Sequence, residues 1–184
     1  PFRGILRRIM KVHLGCGNVY LDGWVNIDIS NESAADRLDD VSSLETIANE
    51  SCDIIYASHV LEHFGRNEYE EVLGVWQQKL KVGGLLRLAV PDIQSALAWY
   101  NGNNLDELLG IFYGGQSSPY DYHKMGFDKH SLSTKLRELD FKNIKTWDWR
   151  ATDHATSDDY SQSYLPHMKK DSGLLMSLNL EATK

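Results

Sequence analysis

Short apolar runs alternate with amphipathic stretches along the first half of the chain. Runs of strand length lie at residues 12–14, 24–29, 53–57 and 85–90. Between the last two, residues 67–81 place apolar side chains at helical spacing, which predicts a long helix ended by Gly83-Gly84. A shorter helix is predicted over residues 42–49. Strands that alternate with helices favour a parallel sheet with helices on its faces.

The second half of the chain is patterned differently. Helical spacing recurs, and it predicts helices over residues 93–100, 104–112 and 129–139. A loop rich in glycine and aromatic residues, 113–127, precedes the last of them. Two strand candidates follow, residues 144–149 and 174–182, and this pair is suited to an antiparallel edge of the sheet.

The first strand candidate ends in the turn Gly15-Cys16-Gly17, and the next one carries a single acidic residue, Asp28, at its far end. Glycines allow backbone to approach a ligand without a Cβ in the way, and a carboxylate accepts both ribose hydroxyl protons. Strand, glycine turn and acidic strand end are typical of α/β proteins that hold an adenosine-containing cofactor.

The turn distinguishes between two kinds of cofactor. A dinucleotide site requires a third glycine and a helix whose N-terminus receives the pyrophosphate. Here Asn18, Val19 and Tyr20 follow Gly17, and only about ten residues separate the two strands, the lower limit for a crossover. Little helix fits, so a cofactor without phosphates is favoured. S-adenosylmethionine (SAM) is such a cofactor.

Five segments in order resemble the class I SAM-dependent methyltransferases, in particular short forms associated with polysaccharide and small-molecule biosynthesis. The segments are residues 13–17, Asp28, Asp40-Val41, residues 53–58 and residues 80–84. The resemblance covers roughly residues 10–141. It implies a Rossmann-like, seven-stranded, mostly parallel sheet with helices on both faces and an antiparallel last strand. It also implies transfer of a methyl group from SAM to a small polar acceptor such as a saccharide or its conjugate.

The resemblance assigns cofactor-binding roles by position. Gly15, Cys16 and Gly17 would pass close to the methionine part of SAM, and Asp28 would hold the ribose. Asp40 would face the adenine amino group with Val41 beside the ring, although the adjacent Asp39 is an alternative for this contact. Ser58, at the mouth of the fourth strand, would line the cofactor. His13 stands where the family usually has an acidic residue.

Catalytic candidates follow the fourth strand, because ligands bind at the carboxyl ends of parallel strands. His59 lies nearest that strand end, and His123, in the aromatic loop, is the second candidate; imidazoles titrate near neutral pH. We predict that one or both bind the acceptor or move its proton. A structural role remains open for each. Glycines flank the aromatic residues of loop 113–127, which suits a lid over the substrate, or an ordinary surface loop.

The sequence is also compatible with two other functions. His59, Glu62 and His63 form an H-x-x-E-H sequence, which in some metallopeptidases binds zinc from the middle of a helix. Here the sequence follows directly on a predicted strand. The second alternative is a methyltransferase-like binding module without catalysis.

The composition of the chain limits which partners and which cellular location it can have. The formal net charge of −7 argues against broad binding to nucleic acid, and no apolar run is long enough to span a bilayer. Cys16 and Cys52 provide neither a disulfide framework nor a zinc spacing, and we assign no metal ligands. We expect a cytoplasmic protein that acts on a small molecule, as a monomer or homodimer. Residues 1–9 are expected to be an N-terminal extension and residues 10–184 a single domain.

Overall fold

A computed structural model describes residues 9–184, so most of the predicted extension, residues 1–8, lies outside the described residues. The main sheet has seven strands in the order β3-β2-β1-β4-β5-β9-β6. Its strands are β1 (Lys11–Leu14), β2 (Val25–Asp28), β3 (Arg37–Leu38), β4 (Cys52–Ser58), β5 (Leu80–Pro91), β6 (Lys142–Thr146) and β9 (Ser177–Thr183). A separate pair is formed by β7 (Tyr164–Leu165) and β8 (Leu174–Leu175).

Strands β1 to β5 pair in parallel, and β9 runs antiparallel between β5 and β6. The predicted Rossmann-like sheet, with seven mostly parallel strands and an antiparallel last strand, is therefore confirmed. The predicted antiparallel pairing of the two late strand candidates, residues 144–149 and 174–182, is observed between β6 and β9, whereas residues 174–175 form the separate strand β8. The connection from β1 to β2 consists of turns, in agreement with the short spacing between them.

The α-helices are α1 (Tyr69–Lys79), α2 (Ile93–Trp99), α3 (Leu109–Tyr113) and α4 (Lys129–Glu138). Two expectations were wrong. Residues 42–49 form turns rather than a helix, and Gly83-Gly84 lies inside β5, which begins directly after α1. The helix predicted over residues 104–112 is split into a 3₁₀ turn (Leu105–Leu108) followed by α3. Among residues 9–184, no helix is long and apolar enough to cross a membrane.

The two faces of the sheet differ in chemistry. One face is apolar, and α1 and α4 pack on it through Val72, Leu73, Trp76, Leu132 and Leu136. The other face carries a row of polar side chains that runs across five neighbouring strands: Asn26, His13, Tyr56, Arg87 and Glu181.

The polar row is shielded by aromatic rings rather than left open. Tyr56 is fully buried, and the rings of Trp24, Trp147 and His154 lie within 6.1 Å of it. His13 stacks on Tyr56 with ring centroids 5.4 Å apart. This packing fixes the strands whose carboxyl ends carry the candidate residues.

Candidate active site

Three cavities open at the carboxyl ends of β1, β2 and β4. We name them by one lining residue each: the Asp28 cavity of about 370 Å³, the Asp159 cavity of about 520 Å³ and the His123 cavity of about 330 Å³. His59 lines all three of them. The strand end after β4 is therefore the junction of the site.

The Asp28 cavity brings together residues that are distant in sequence. Its lining includes Gly15, Asp28, Ile29, Asp40, Val41, Val60, Phe64 and Tyr120. The Asp28 carboxylate accepts the Gly17 N–H through Oδ2 and the Ser30 N–H through Oδ1, both at 2.8 Å. A carboxylate has about four lone-pair positions, so capacity for further donors remains.

The glycine turn has a backbone geometry that only glycine adopts without strain. Gly15 has φ of +59° and Gly17 has φ of +51°. A Cβ on Gly15 would lie 2.5 Å from Cγ2 of Val60, whereas a Cβ on Gly17 would meet no atom within 4 Å. Gly15 thus allows the turn to pack on the residues after β4, and Gly17 borders open space. Cys16 is buried between them, and burial raises the pKa of its thiol to about 11.

The structure separates the two adjacent aspartates. Asp39 Oδ2 accepts the N–H and the hydroxyl of Thr46, and it does not line the cavity. Asp40 Oδ1 accepts the N–H and the hydroxyl of Ser42, and Asp40 lines the cavity with Val41. Geometry therefore favours Asp40 over Asp39 as the residue that contacts a ligand there.

The Asp159 cavity lies on the other side of the glycine turn. It is lined by His13, Cys16, Gly17 and Ser58 together with a late segment that includes Asp158, Asp159, Tyr160 and His167. Ser58 Oγ is buried and has no hydrogen-bond partner within residues 9–184. Asp159 Oδ2 accepts the Tyr56 hydroxyl at 2.6 Å, which holds this carboxylate at the cavity.

His13 faces the same cavity in a fixed, neutral state. Its Nδ1 lies 3.1 Å from Oδ1 of Asn26, and that amide oxygen also accepts the Leu21 N–H. Burial lowers the pKa of His13. The acidic group that the family places at position 13 is thus absent there, and a carboxylate from position 159 lines the same cavity instead.

Sequence reasoning missed the late segment entirely. Tyr160, Ser163 and His167 each line both the Asp159 cavity and the His123 cavity. The only available signal was an aromatic and acidic composition in an otherwise irregular stretch, and such a signal does not fix a position in space.

The His123 cavity is bordered by polar and aromatic groups. Its lining includes Glu107, Asp121, His123, Tyr160, Tyr164 and His167. Loop 113–127 separates it from the Asp28 cavity, since Tyr120 and Tyr122 line the Asp28 cavity while Asp121 and His123 line this one. The loop lies over the site as the prediction of a lid requires; closure of the loop stays a prediction.

His59 is held in an uncommon conformation. Its φ is +52°, and its backbone N–H donates to the Ala89 carbonyl. Its Nε2 lies 3.2 Å from Ser177 Oγ, and that hydroxyl donates to Asn179 Oδ1 at 2.9 Å. Ser177 therefore accepts from the His59 Nε2–H, which leaves the lone pair on Nδ1, 3.3 Å from Glu62 Oε1. Burial lowers the pKa of His59 to about 3, so the ring is neutral at pH 7.

Glu62 is the least satisfied polar group of the site. It is completely buried, and neither carboxylate oxygen has a hydrogen-bond partner within residues 9–184. Burial raises its pKa to about 8. His123 Nε2 lies 3.8 Å from Oε1.

Comparison with known proteins decides the family. Residues 12–88 match the family model of the methyltransferase domain. They are a methyltransferase domain. The resemblance found in the sequence is thereby confirmed for these residues, which contain the glycine turn, Asp28, Asp40 and His59.

Solved structures of methyltransferases share the fold over nearly the whole chain. The chain is similar to a SAM-dependent methyltransferase from Archaeoglobus fulgidus, with a TM-score of 0.61, 15% identity, and coverage of 96% of this chain and 86% of that one. For a possible histamine N-methyltransferase from Thermotoga maritima the TM-score is 0.63 and the identity 16%, with coverage of 98% of this chain and 84% of that one. For phosphoethanolamine N-methyltransferase 2 from Haemonchus contortus, in complex with SAM, the TM-score is 0.52 and the identity 11%, with coverage of 79% of this chain and 36% of that one. No curated protein matches the chain.

The methyltransferase domain does not present H-x-x-E-H as a zinc peptidase does. That arrangement needs the motif in the middle of a helix. Here His59 has a left-handed backbone, and only a 3₁₀ turn, Leu61–His63, follows it. The geometry gives no support to a zinc hydrolase.

Proposed function

We propose that this methyltransferase binds SAM across the Asp28 and Asp159 cavities and transfers its methyl group to a small polar acceptor in the His123 cavity. The carrying observation is that His59 lines all three cavities, so ligands in them would meet at one point. When bound, SAM supplies a methyl group on a sulfonium, which requires alignment with the acceptor and exclusion of water.

The nucleoside would occupy the Asp28 cavity. Asp28 has two backbone donors in place and capacity for the ribose hydroxyls. Asp40 uses one carboxylate oxygen for Ser42, and its other oxygen is free of hydrogen bonds within residues 9–184, so it suits the adenine amino group. Val41 supplies an apolar surface beside the ring. The residues present therefore fit an adenosine group.

The methionine part would occupy the Asp159 cavity. Gly15 and Gly17 bring the backbone to this space, and the unpartnered Ser58 hydroxyl is suited to a ligand's polar group. We assign the ammonium contact to Asp159, because its carboxylate is the one fixed near His13 by the buried Tyr56 hydroxyl. Charge-assisted hydrogen bonds of this kind are the stronger ones.

The acceptor end has two polar groups with unused capacity. His123 Nδ1 lies 2.9 Å from the Ile111 carbonyl, so Nδ1 carries the proton and Nε2 carries the lone pair. The carboxyl oxygens of Glu62 beside it have no hydrogen-bond partner within residues 9–184. Both groups are suited to orient an acceptor, and the His123 Nε2 lone pair is suited to take up the proton that its hydroxyl loses. His59, whose nitrogens face Ser177 and Glu62, acts as a positioning residue.

The class of acceptor follows from the lining. Glu107 and Asp121 disfavour an anionic acceptor, and carboxylates with imidazoles accept hydrogen bonds from hydroxyl groups. Tyr160 and Tyr164 line the same cavity, and aromatic side chains are suited to contact with a sugar ring. A neutral saccharide or the sugar part of a conjugate fits this combination, and it agrees with the acceptor class that the sequence resemblance implies. Cys16 and Cys52, both free, support a reducing, cytoplasmic setting.

Calorimetry with SAM and a methylation assay test the proposal. We expect micromolar binding of SAM, and formation of S-adenosylhomocysteine that depends on an added saccharide, sugar nucleotide or small amine from a panel. Turnover with amines alone would overturn the saccharide assignment. Absence of SAM binding would refute the proposed methyltransferase activity and favour the alternative, a methyltransferase-like binding module.

A further inference from the structure

We propose that Glu62, His63 and His123 bind one divalent transition-metal ion in the wall between the Asp28 and His123 cavities. One donor atom of each residue lies within 4.8 Å of the others, and His123 Nε2 is 3.8 Å from Glu62 Oε1. Two ligands with bonds of about 2.1 Å are at most about 4.2 Å apart around one ion. Small side-chain rotations therefore close the set.

Backbone carbonyls fix the tautomer of both imidazoles. His63 Nδ1 lies 3.1 Å from the Tyr122 carbonyl, and His123 Nδ1 lies 2.9 Å from the Ile111 carbonyl. A carbonyl only accepts, so each Nδ1 carries the proton and each Nε2 presents its lone pair. Histidines that bind metals commonly donate their other ring N–H to such a partner.

Glu62 supplies the independent observation. Its carboxyl group is completely buried, and both oxygens lack a hydrogen bond within residues 9–184. A buried carboxylate without a partner is costly, and proteins commonly pair such a group or use it to coordinate a metal. His59 Nδ1 is 3.3 Å from Oε1 and presents a lone pair, so it accepts from the protonated acid but gives the ionised carboxylate no donor. A cation among these groups would satisfy the carboxylate.

The backbone holds the three ligands in place. The N–H groups of Lys124 and Met125 both donate to the Glu62 carbonyl, at 2.8 and 3.1 Å, and the His123 N–H donates to the Tyr113 carbonyl. The ligand on loop 113–127 is thus clamped onto the 3₁₀ turn that carries the other two. Such support is what a preorganised metal site requires.

The donor set indicates the ion and its role. Two imidazoles and one carboxylate suit zinc, manganese, iron or cobalt in the divalent state, with coordination positions left open. His63 lines both cavities and His123 lines the acceptor cavity. This role rests on the proposed function: an open coordination position would hold the acceptor hydroxyl and lower its pKa. Because the ion would then use the lone pairs of His123 Nε2 and Glu62, the proton of the hydroxyl would pass to water in the His123 cavity rather than to these side chains. The proposed ligands thus include Glu62 and His63 of the H-x-x-E-H sequence, and His123 takes the place of His59 as the third ligand.

Metal titration of the full chain tests the site, with Zn²⁺ and Mn²⁺ in calorimetry and Co²⁺ in visible absorption. We expect one ion per chain. Glu62→Gln, His63→Ala and His123→Ala should each weaken binding by more than the roughly 10–100-fold that loss of an outer partner costs. His130→Ala, which alters an exposed histidine on α4, should leave binding unchanged.

Two controls keep the result clear. Thermal unfolding checks each variant, and Glu62→Gln is the most informative because an uncharged amide replaces a buried acid of similar shape. Equal binding by the wild type and Glu62→Gln, or no binding of any of the three ions at about 100 μM, would overturn the site. Stoichiometric metal binding without SAM binding would retain the site and refute the proposed function.

Discussion

Replacement of Asp28 by alanine should weaken SAM binding and also lower the free energy of unfolding, and the two effects are measured separately. The carboxylate accepts two backbone N–H groups at 2.8 Å, from Gly17 and Ser30, and we assign it the ribose hydroxyls as well. Loss of hydrogen bonds to a charged group costs about 1.5–3 kcal/mol each. Part of this cost falls on the folded state, and we expect about 1–3 kcal/mol to fall on SAM binding.

A free-energy change of about 1–3 kcal/mol corresponds to a dissociation constant roughly 5 to 150 times higher. Calorimetric titration with SAM, at a temperature where both proteins are folded, measures this directly. Chemical denaturation measured in parallel gives the loss in the free energy of unfolding. Asp28→Asn should fall between alanine and wild type, because one amide oxygen still accepts.

Asp36→Ala is the matched control. Asp36 also accepts a backbone N–H, from Asn26 at 2.9 Å, and it lies directly before β3. It lines neither the Asp28 cavity nor the Asp159 cavity. We expect this variant to lower stability and leave SAM affinity unchanged. If Asp28→Ala and Asp36→Ala bound SAM equally well, the ribose assignment would be refuted.

Four further substitutions test other parts of the site. His123→Ala should lower turnover more than SAM affinity, and equal losses in kcat and affinity would move it to the cofactor side. Asp159→Ala should raise the SAM dissociation constant by about 10-fold or more, which calorimetry checks. Gly15→Ala should lower Tm strongly, because its Cβ would lie 2.5 Å from Val60 Cγ2 at a φ of +59°. Burial lowers the pKa of His13 below 6.5, so its contribution to stability is present above pH 6.5 and is lost as pH falls below that value; denaturant titrations of His13→Asn should show a weaker decline on acidification than wild type.

The strands near the cofactor site could be predicted because each is a short apolar run followed by a distinctive residue. The failure at residues 42–49 has a physical cause. The Asp39 carboxylate takes the Thr46 N–H, the Asp40 carboxylate takes the Ser42 N–H, and Leu44 has φ of +46°. Side-chain bonds to the backbone competed with helical ones and won. Helical spacing alone does not reveal that competition.

The site residues from loop 113–127 and from the late segment were harder to predict for a different reason. His123 was found because a histidine between aromatic residues and glycines is conspicuous in the sequence. Asp159 caps a single 3₁₀ turn that begins at Tyr160, and His167 lies in a turn, so neither a period of 2 nor a period of 3.6 gives a direction to these side chains. Their placement depends on long-range contacts, such as the bond from the Tyr56 hydroxyl to Asp159, 103 residues apart.

This division has a consequence for specificity. The Asp28 cavity is built mainly from residues 15–68 and from loop 113–127, whereas the lining of the His123 cavity comes mostly from residues 107–123 and 160–167. Loops on a fixed scaffold can change without loss of the strands beneath them. Substitutions at Glu107 or Tyr164, which line the His123 cavity and neither of the other two, should therefore change which acceptor is methylated more than how tightly SAM binds. His59, common to both cavities and fixed by Ser177, is where a change should affect both.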